Sequence, residues 1–176
     1  MDDKQLLDKI RSGQISAFDA LYAKYSRSLM RYILHIVHDQ ASAEDIFHEA
    51  FIRVIKNLNL EFDRAKFSTW LFKVARNLAI SSLRKNSRTD LDDAMDQYPG
   101  SSGSPIRIED HEIIVEILKQ ISPAKREVFV LKQTQGFSYD EIAQILELPV
   151  GTVRSRLHAC VKELQQLVKE QANELQ

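Results

Sequence analysis

The sequence predicts an all-α protein: two small helical domains joined by a flexible linker, with a helix-turn-helix in the C-terminal domain. Three observations predict this fold class. Apolar residues recur at three- and four-residue steps through most of the chain, which is the period of an amphipathic helix. A polar segment interrupts that pattern once. After it, a capped helix is followed closely by a second helix with a basic open face, the layout of a helix-turn-helix.

The N-terminal domain, residues 1–88, is predicted to contain a short helix near Asp3–Arg11 and three longer ones. Ser16, Ser42 and Ser68 are each expected to cap one of the longer helices, since serine is a favoured N-cap residue. In the helix after Ser68, the residues expected to face inward are Trp70, Leu71, Val74, Ala75, Leu78 and Leu83.

The segment 89–110 is predicted to be a flexible acidic linker. It contains Pro99, Gly100, Ser101, Ser102, Gly103, Ser104 and Pro105 with scattered aspartates. Such a composition offers too little apolar surface to form a core. The linker therefore separates the first domain from a second one at 111–176.

The C-terminal domain carries strong local signals for helix ends. Ser122 followed by Pro123 predicts a helix start, because proline is tolerated in the first helical turn. Ser138 with Glu141 is a full capping box for the next helix. Pro149 is expected to end that helix, and the last helix is expected to begin at about Val150.

The bulk charge hides a basic segment. The formal net charge is −1 and the pI is near 6.5. Residues 62–88 nevertheless contain seven bases against one acid, and residues 89–112 contain seven acids against one base. A charged segment is often only a solvated face, so the motifs must decide its role. With one cysteine, no apolar signal core and no long apolar run, the chain is expected to be cytoplasmic, without membrane insertion.

The last helix has the composition of a DNA-recognition helix. Its open side is predicted to carry Thr152, Arg154, Ser155, Arg156, His158 and Lys162, with Val153, Leu157, Val161 and Leu164 facing inward. Hydroxyl and backbone N–H groups can donate to phosphate. A bidentate arginine–guanine pair contributes ~1–3 kcal/mol of discrimination. The alternative is an ordinary surface helix of an α-hairpin, which two arginines alone would not exclude.

A second segment, Lys66–Lys85, fits melted or single-stranded DNA. Lys73, Arg76, Asn77 and Arg84 share one helical face, and the aromatic residues Phe67 and Trp70 precede them. The basic side chains would bind phosphates, while unstacked bases would stack on the aromatic rings or form hydrogen bonds with the amide. The alternative makes Trp70 mostly a core residue and the bases plain solubilising groups.

A third segment, Ala43–Phe51, points to a protein partner. The polar side of this amphipathic helix is predicted to carry Glu44, Asp45, His48 and Glu49. An acidic patch of this kind would repel DNA.

In their order along the chain, these three segments resemble the extracytoplasmic-function (ECF, group IV) sigma factors of bacterial RNA polymerase. AEDIFHEAFIRV resembles region 2.2, which docks on the β′ clamp helices. FSTWLFKVARNLAISSLRK resembles regions 2.3–2.4, which open and read the minus-ten element. ISPAKREVFVLKQTQGFSYDEIAQILELPVGTVRSRLH resembles region 4, which holds the β flap and reads the minus-thirty-five element.

The resemblance implies a sigma factor that is not an enzyme and needs no cofactor or metal. It assigns minus-ten contacts to Lys66, Phe67, Trp70, Lys73, Arg76, Asn77, Arg84 and Lys85. It assigns minus-thirty-five contacts to Thr152, Arg154, Ser155, Arg156, His158 and Lys162, and core-polymerase docking to Glu44, Asp45, His48 and Glu49. It also implies promoter DNA, core polymerase and an anti-sigma factor as partners.

The chain departs from the family pattern at five positions. His48 stands where the family usually has Gln, and Ser81 where Asp is common. Glu147 replaces the usual turn glycine, while Ala159 and Val161 replace arginines. The last two changes remove part of the expected phosphate grip.

Two alternatives stay open. A stand-alone transcription regulator would use the same helix-turn-helix and bind duplex DNA without polymerase, but it leaves Ala43–Phe51 unexplained. A metalloenzyme could use His35 and His38 with Glu44, His48 and Glu49 as ligands, although no spaced ligand motif accompanies them.

Overall fold

The N-terminal unit is built around one long central helix. The computed structural model describes residues 2–59, 67–89 and 117–174. The helices of this unit are α1 (Asp3–Arg11), α2 (Ile15–Val37), α3 (Gln40–Lys56) and α4 (Phe67–Thr89). Helix α2 packs against α1, α3 and α4, and α3 also packs against α4. The short helix that the sequence predicts at the N-terminus is confirmed.

The facing stripes of α2, α3 and α4 form the core of this unit. Completely buried side chains include Leu21, Leu29, Tyr32, Ile33, Ala43, Ala50, Leu71, Ala75 and Ala79. An aromatic cluster joins α2 to α3, with the Tyr22 ring centroid 4.9 Å from that of Phe51 and 5.3 Å from that of Phe47. This packing holds the polar side of α3 away from the core.

Helix α1 is tied to the rest of the unit by polar contacts. The Tyr25 hydroxyl donates to Asp3 Oδ2 at 2.5 Å, and Lys24 Nζ lies 2.6 Å from Asp3 Oδ1. At the other end of α1, Arg11 Nε donates to the carbonyl of Leu58 at 2.5 Å. Both ends of the short helix are therefore fixed to residues distant in sequence.

The serine caps predicted for this unit are wrong, because each serine lies inside its helix. Helix α2 begins at Ile15 rather than after Ser16. The N-cap of α3 is Asp39, whose carboxylate accepts from the Ser42 backbone N–H at 2.8 Å. Helix α4 already includes Phe67, so Ser68 is its second described residue.

Helix α4 is rotated relative to the predicted inward stripe. Among residues 67–85, its buried side chains are Phe67, Thr69, Leu71, Phe72, Ala75 and Ala79. Trp70, Val74, Leu78 and Leu83, which were expected to face inward, are only half-buried. The centre of the buried stripe thus lies toward Phe72 rather than Val74.

The C-terminal unit packs two short helices on a long one. Helices α5 (Pro123–Gln133) and α6 (Tyr139–Leu146) both pack on α7 (Val150–Glu174). Residues 117–119 are also helical. The buried side chains of this unit include Ile117, Ile121, Val128, Leu131, Ile142, Ile145, Val153 and Cys160.

The predicted helix starts of this unit are confirmed. Pro123 is the first residue of α5, and α7 begins at Val150 directly after Pro149. The capping box of α6 is complete: Ser138 Oγ accepts from the Glu141 N–H at 3.2 Å, and Glu141 Oε2 accepts from the Ser138 N–H at 2.7 Å.

The chain divides into two compact units, Met1–Asp93 and Ala94–Gln176. Thr89 is the last residue of α4, so the first predicted linker position belongs to a helix. The remainder of the predicted linker, 90–110, lies outside the described residues.

Candidate nucleic-acid interface

The turn between α6 and α7 has the geometry of a helix-turn-helix. Glu147 has φ 55° and ψ 46°, and its N–H and that of Leu148 both donate to the carbonyl of Ala143. The first turn of α7 closes on Pro149, whose carbonyl accepts from Thr152 N–H at 2.9 Å and Val153 N–H at 3.2 Å. Glu147 therefore adopts the left-handed conformation that glycine usually supplies.

The open side of α7 carries the predicted polar residues. Arg154, Ser155, His158 and Lys162 are exposed, whereas Thr152 and Arg156 are half-buried. The Ser155 hydroxyl donates to the carbonyl of Thr152 at 3.0 Å, so in this state it bonds its own helix. The helix thus presents cations and a histidine on its solvent-exposed side.

The inward side of α7 is partly as predicted. Val153 and Leu157 are buried, but Val161 and Leu164 are only half-buried. Cys160, which the sequence reasoning left unassigned, is completely buried. Burial raises the pKa of its thiol to about 11, with a smaller contribution in the same direction from Glu163.

An aromatic residue that sequence reasoning missed lies beside the predicted DNA face. The Arg154 guanidinium carbon is 5.5 Å from the centroid of the Tyr139 ring, and Lys132 Nζ is 4.9 Å from the same centroid. Tyr139 is the first residue of α6 and Lys132 is near the end of α5. Because Lys132 and Tyr139 lie on other helices, the spacing of residues along α7 gives no indication that they are close to Arg154.

Helix α4 presents a polar face of mixed exposure. Asn77, Arg84 and Lys85 are exposed, while Lys73 and Arg76 are half-buried. At 3.6 residues per turn these positions, apart from Lys85, fall on one side of the helix. Trp70 is half-buried, as a residue between core and surface.

Phe67 is a correction to the predicted minus-ten contacts. Its side chain is 2% exposed and its ring centroid lies 5.5 Å from that of Tyr25 and 6.1 Å from that of Trp70. It therefore belongs to the core, because a buried ring cannot stack on a base. Lys66, the other residue predicted at this end of the helix, lies outside the described residues.

The polar side of α3 is exposed as predicted. Glu44, Asp45 and His48 are exposed, and Glu49 is half-buried with its carboxylate 3.1 Å from Arg53 Nε. Two exposed apolar residues continue this surface: Ile52 is 43% exposed and Ile55 is 53% exposed. Asp45, His48, Ile52 and Ile55 follow three- and four-residue steps, so they share one stripe. We call these four residues the α3 stripe.

The described residues offer no support for the metalloenzyme alternative. Across residues 2–59, 67–89 and 117–174, no three His, Cys, Asp or Glu side chains come together in a way that could hold a metal ion. The rings of His35 and His38 have centroids 6.4 Å apart. In the same part of the chain, no helix combines the length and apolar character needed to cross a membrane.

Comparison with known proteins finds two family signatures in the chain. The signature described as Sigma-70 region 2 matches residues 21–89, and that described as Sigma-70, region 4 matches residues 111–164. The RNA polymerase sigma-H factor of Pseudomonas aeruginosa is 32% identical, over 96% of both chains. The ECF RNA polymerase sigma factor SigW of Bacillus subtilis is 31% identical, over 88% of this chain and 90% of that protein.

A solved structure shares the fold. It is the co-crystal structure of the sigma factor RpoE in complex with the anti-sigma factor NepR from Bartonella quintana. The sigma factor matches with a TM-score of 0.66 and 24% identity, covering 86% of this chain and 96% of that one.

Proposed function

The chain belongs to the ECF group of the sigma-70 family, and from that premise we propose which of its surfaces contact promoter DNA and which contact core RNA polymerase. It is a sigma factor: a non-enzymatic bacterial protein that binds core RNA polymerase, recognises the minus-ten and minus-thirty-five promoter elements and promotes transcription initiation. The observation that carries the proposal is the basic open side of α7, presented by a capped α6 and a tight turn.

The minus-thirty-five contacts are assigned to the open side of α7. Exposed Arg154 and half-buried Arg156 lie near the start of the helix, the part that enters a major groove in helix-turn-helix proteins. Thr152, Ser155, His158 and Lys162 flank them and would take phosphates or bases. Because the Ser155 hydroxyl donates to the Thr152 carbonyl in this state, it must rotate in order to donate to a DNA phosphate.

The minus-ten contacts are assigned to the polar face of α4. Asn77 is exposed and can read a base edge with its amide, while Arg84 and Lys85 can take phosphates. Lys73 and Arg76 lie on the same face and Trp70 borders it. Lys66 remains part of this proposal from sequence alone.

Docking on core polymerase is assigned to the polar side of α3, against the β′ clamp helices. Exposed Glu44 and Asp45 with Glu49 provide the acidic part, exposed His48 adds a polar side chain, and Ile52 and Ile55 add apolar area. A centre with apolar residues and a polar rim is the usual anatomy of a protein interface. The β flap would contact the C-terminal unit, and an anti-sigma factor would compete for these surfaces.

The test is run-off transcription with purified core polymerase on promoters randomised in each element. Asn77→Ala should relax preference at a downstream position, and Arg154→Ala or Arg156→Ala should weaken upstream preference, each by ~1–3 kcal/mol for a base contact. A phosphate contact would instead give a uniform loss and a shallower salt dependence. The assignment is wrong if Asn77→Ala alters upstream preference alone, or if the arginine variants alter downstream preference alone.

A further inference from the structure

Tyr139 joins three helices at the edge of the surface assigned to upstream DNA. Its ring lies on α6, Lys132 Nζ approaches it from α5 at 4.9 Å, and the Arg154 guanidinium approaches it from α7 at 5.5 Å. Both distances fall within the roughly 6 Å over which a cation is attracted to an aromatic ring. The ring therefore stabilises a particular position of Arg154.

The ring itself is held in place before any DNA arrives. Tyr139 follows Ser138, whose hydroxyl and N–H are both engaged in the capping box with Glu141. Lys132 Nζ also donates to the carbonyl of Phe137 at 3.1 Å, which fixes the turn that leads into α6. The backbone at Tyr139 is thus held by its neighbours and the ring has few rotatable bonds, whereas an arginine side chain is long and rich in rotamers.

We propose that Tyr139 is a positioning residue for promoter recognition: its ring pre-orders Arg154 for the upstream element. The inference rests on the proposed function, which assigns Arg154 to that element. A guanidinium that stacks on a ring through its face keeps the N–H groups in its plane available to base or phosphate acceptors. Pre-ordering removes part of the entropic cost of binding.

The main test compares Tyr139→Leu with Tyr139→Phe in holoenzyme assembled with core polymerase. A cation–π contact at an exposed site corresponds to a roughly two- to fivefold change in an equilibrium constant. Tyr139→Leu should weaken binding to the upstream element by that factor and relax preference at the same base pair as Arg154→Ala. Tyr139→Phe keeps the ring and should bind like the wild type.

A double-mutant comparison isolates the action through Arg154. In an Arg154→Ala background, Tyr139→Leu should have no further effect on upstream binding. In an Arg156→Ala background, the matched control on the same helix, Tyr139→Leu should retain its full effect. Proton chemical shifts of the Arg154 side chain give an independent readout, since the ring current should be present with Tyr or Phe and absent with Leu.

Several outcomes would overturn the inference. Equal damage from Tyr139→Phe and Tyr139→Leu would assign the effect to the hydroxyl group, and tighter binding by Tyr139→Leu would mean that the ring restrains Arg154 away from DNA. Additive effects with Arg154→Ala would mean independent roles. If Arg154→Ala itself leaves upstream preference unchanged, the proposed function of Arg154 fails and the inference fails with it. If only Tyr139→Leu is silent, the inference alone fails.

Discussion

Glu147 is held in a backbone conformation that side chains other than glycine rarely adopt. Its φ is 55° in the turn between α6 and α7, where the family pattern has glycine. Placing a residue with a Cβ in the left-handed region lowers the free energy of unfolding by about 1 kcal/mol or slightly more. Glu147→Gly should therefore raise the free energy of unfolding of the C-terminal unit by up to about 1 kcal/mol, measured by urea denaturation.

Gly136 supplies the matched control of opposite sign. It has φ 72°, and a Cβ added there would meet nothing within 4 Å. Gly136→Ala should therefore lower the free energy of unfolding by about 1 kcal/mol through backbone strain alone. A loss of stability in Glu147→Gly would show that contacts of the Glu147 side chain outweigh its backbone cost.

Tyr25 links the stability of the N-terminal unit to pH. Burial, followed by the hydrogen bond to Asp3, raises the pKa of Tyr25 above its ordinary value of 10.0. The unfolded chain therefore ionises first, so the stabilisation is present below about pH 10 and is lost as pH rises further. Tyr25→Phe should cost about 1.5 kcal/mol at pH 7. Measured by urea denaturation, the free energy of unfolding should fall less between pH 8 and pH 11 for Tyr25→Phe than for the wild type.

At the scale of helices, starts were predictable where the signal is local. Pro123 and the Ser138–Glu141 box determine where α5 and α6 begin, because each restricts the backbone or satisfies N–H groups within one turn. The start of α3 depends instead on His38, which takes φ 56° at the end of α2. That conformation leaves Asp39 as the cap, and sequence gives little warning of a left-handed histidine.

The orientation of α4 was harder to predict for a different reason. Its sequence has apolar residues on a broad arc, so a rotation by one position still buries an apolar stripe. Packing against Tyr25 and Tyr32 sets the orientation of α4, since it buries Phe67 and Phe72 and leaves Trp70 half-buried. Tyr139 escaped prediction similarly, since its contacts with Lys132 and Arg154 depend on three packed helices.

The α3 stripe predicts a clear separation of binding from folding. Asp45→Arg reverses the charge of an exposed residue, so helical content by circular dichroism should stay unchanged while co-elution with core polymerase is lost. Asp19→Arg is the matched control, the same charge change at an exposed position of α2. Co-elution of Asp45→Arg at wild-type affinity would remove α3 from the docking proposal.

For the molecule as a whole, charge balance predicts dependence on a partner. With a formal net charge of −1, the free chain lacks the general attraction to phosphates on which non-specific DNA binding depends. We expect weak binding to promoter duplex by the chain alone and specific binding once core polymerase is added, measured by fluorescence anisotropy at fixed salt. Tight sequence-specific binding by the free chain would favour the stand-alone regulator.

The rate at which the buried thiol of Cys160 is alkylated reports how often the C-terminal unit opens. The chain has one cysteine, its side chain is 0% exposed, and its pKa is raised to about 11. The thiolate must attack the alkylating reagent, and a buried thiol cannot reach it, so labelling requires that α7 first separates from its neighbours. The labelling rate, followed by intact-mass spectrometry, should fall when core polymerase and promoter DNA stabilise this unit, and Glu147→Gly should lower it as well. Because the N-terminal unit has no thiol, its own unfolding leaves the labelling rate unchanged.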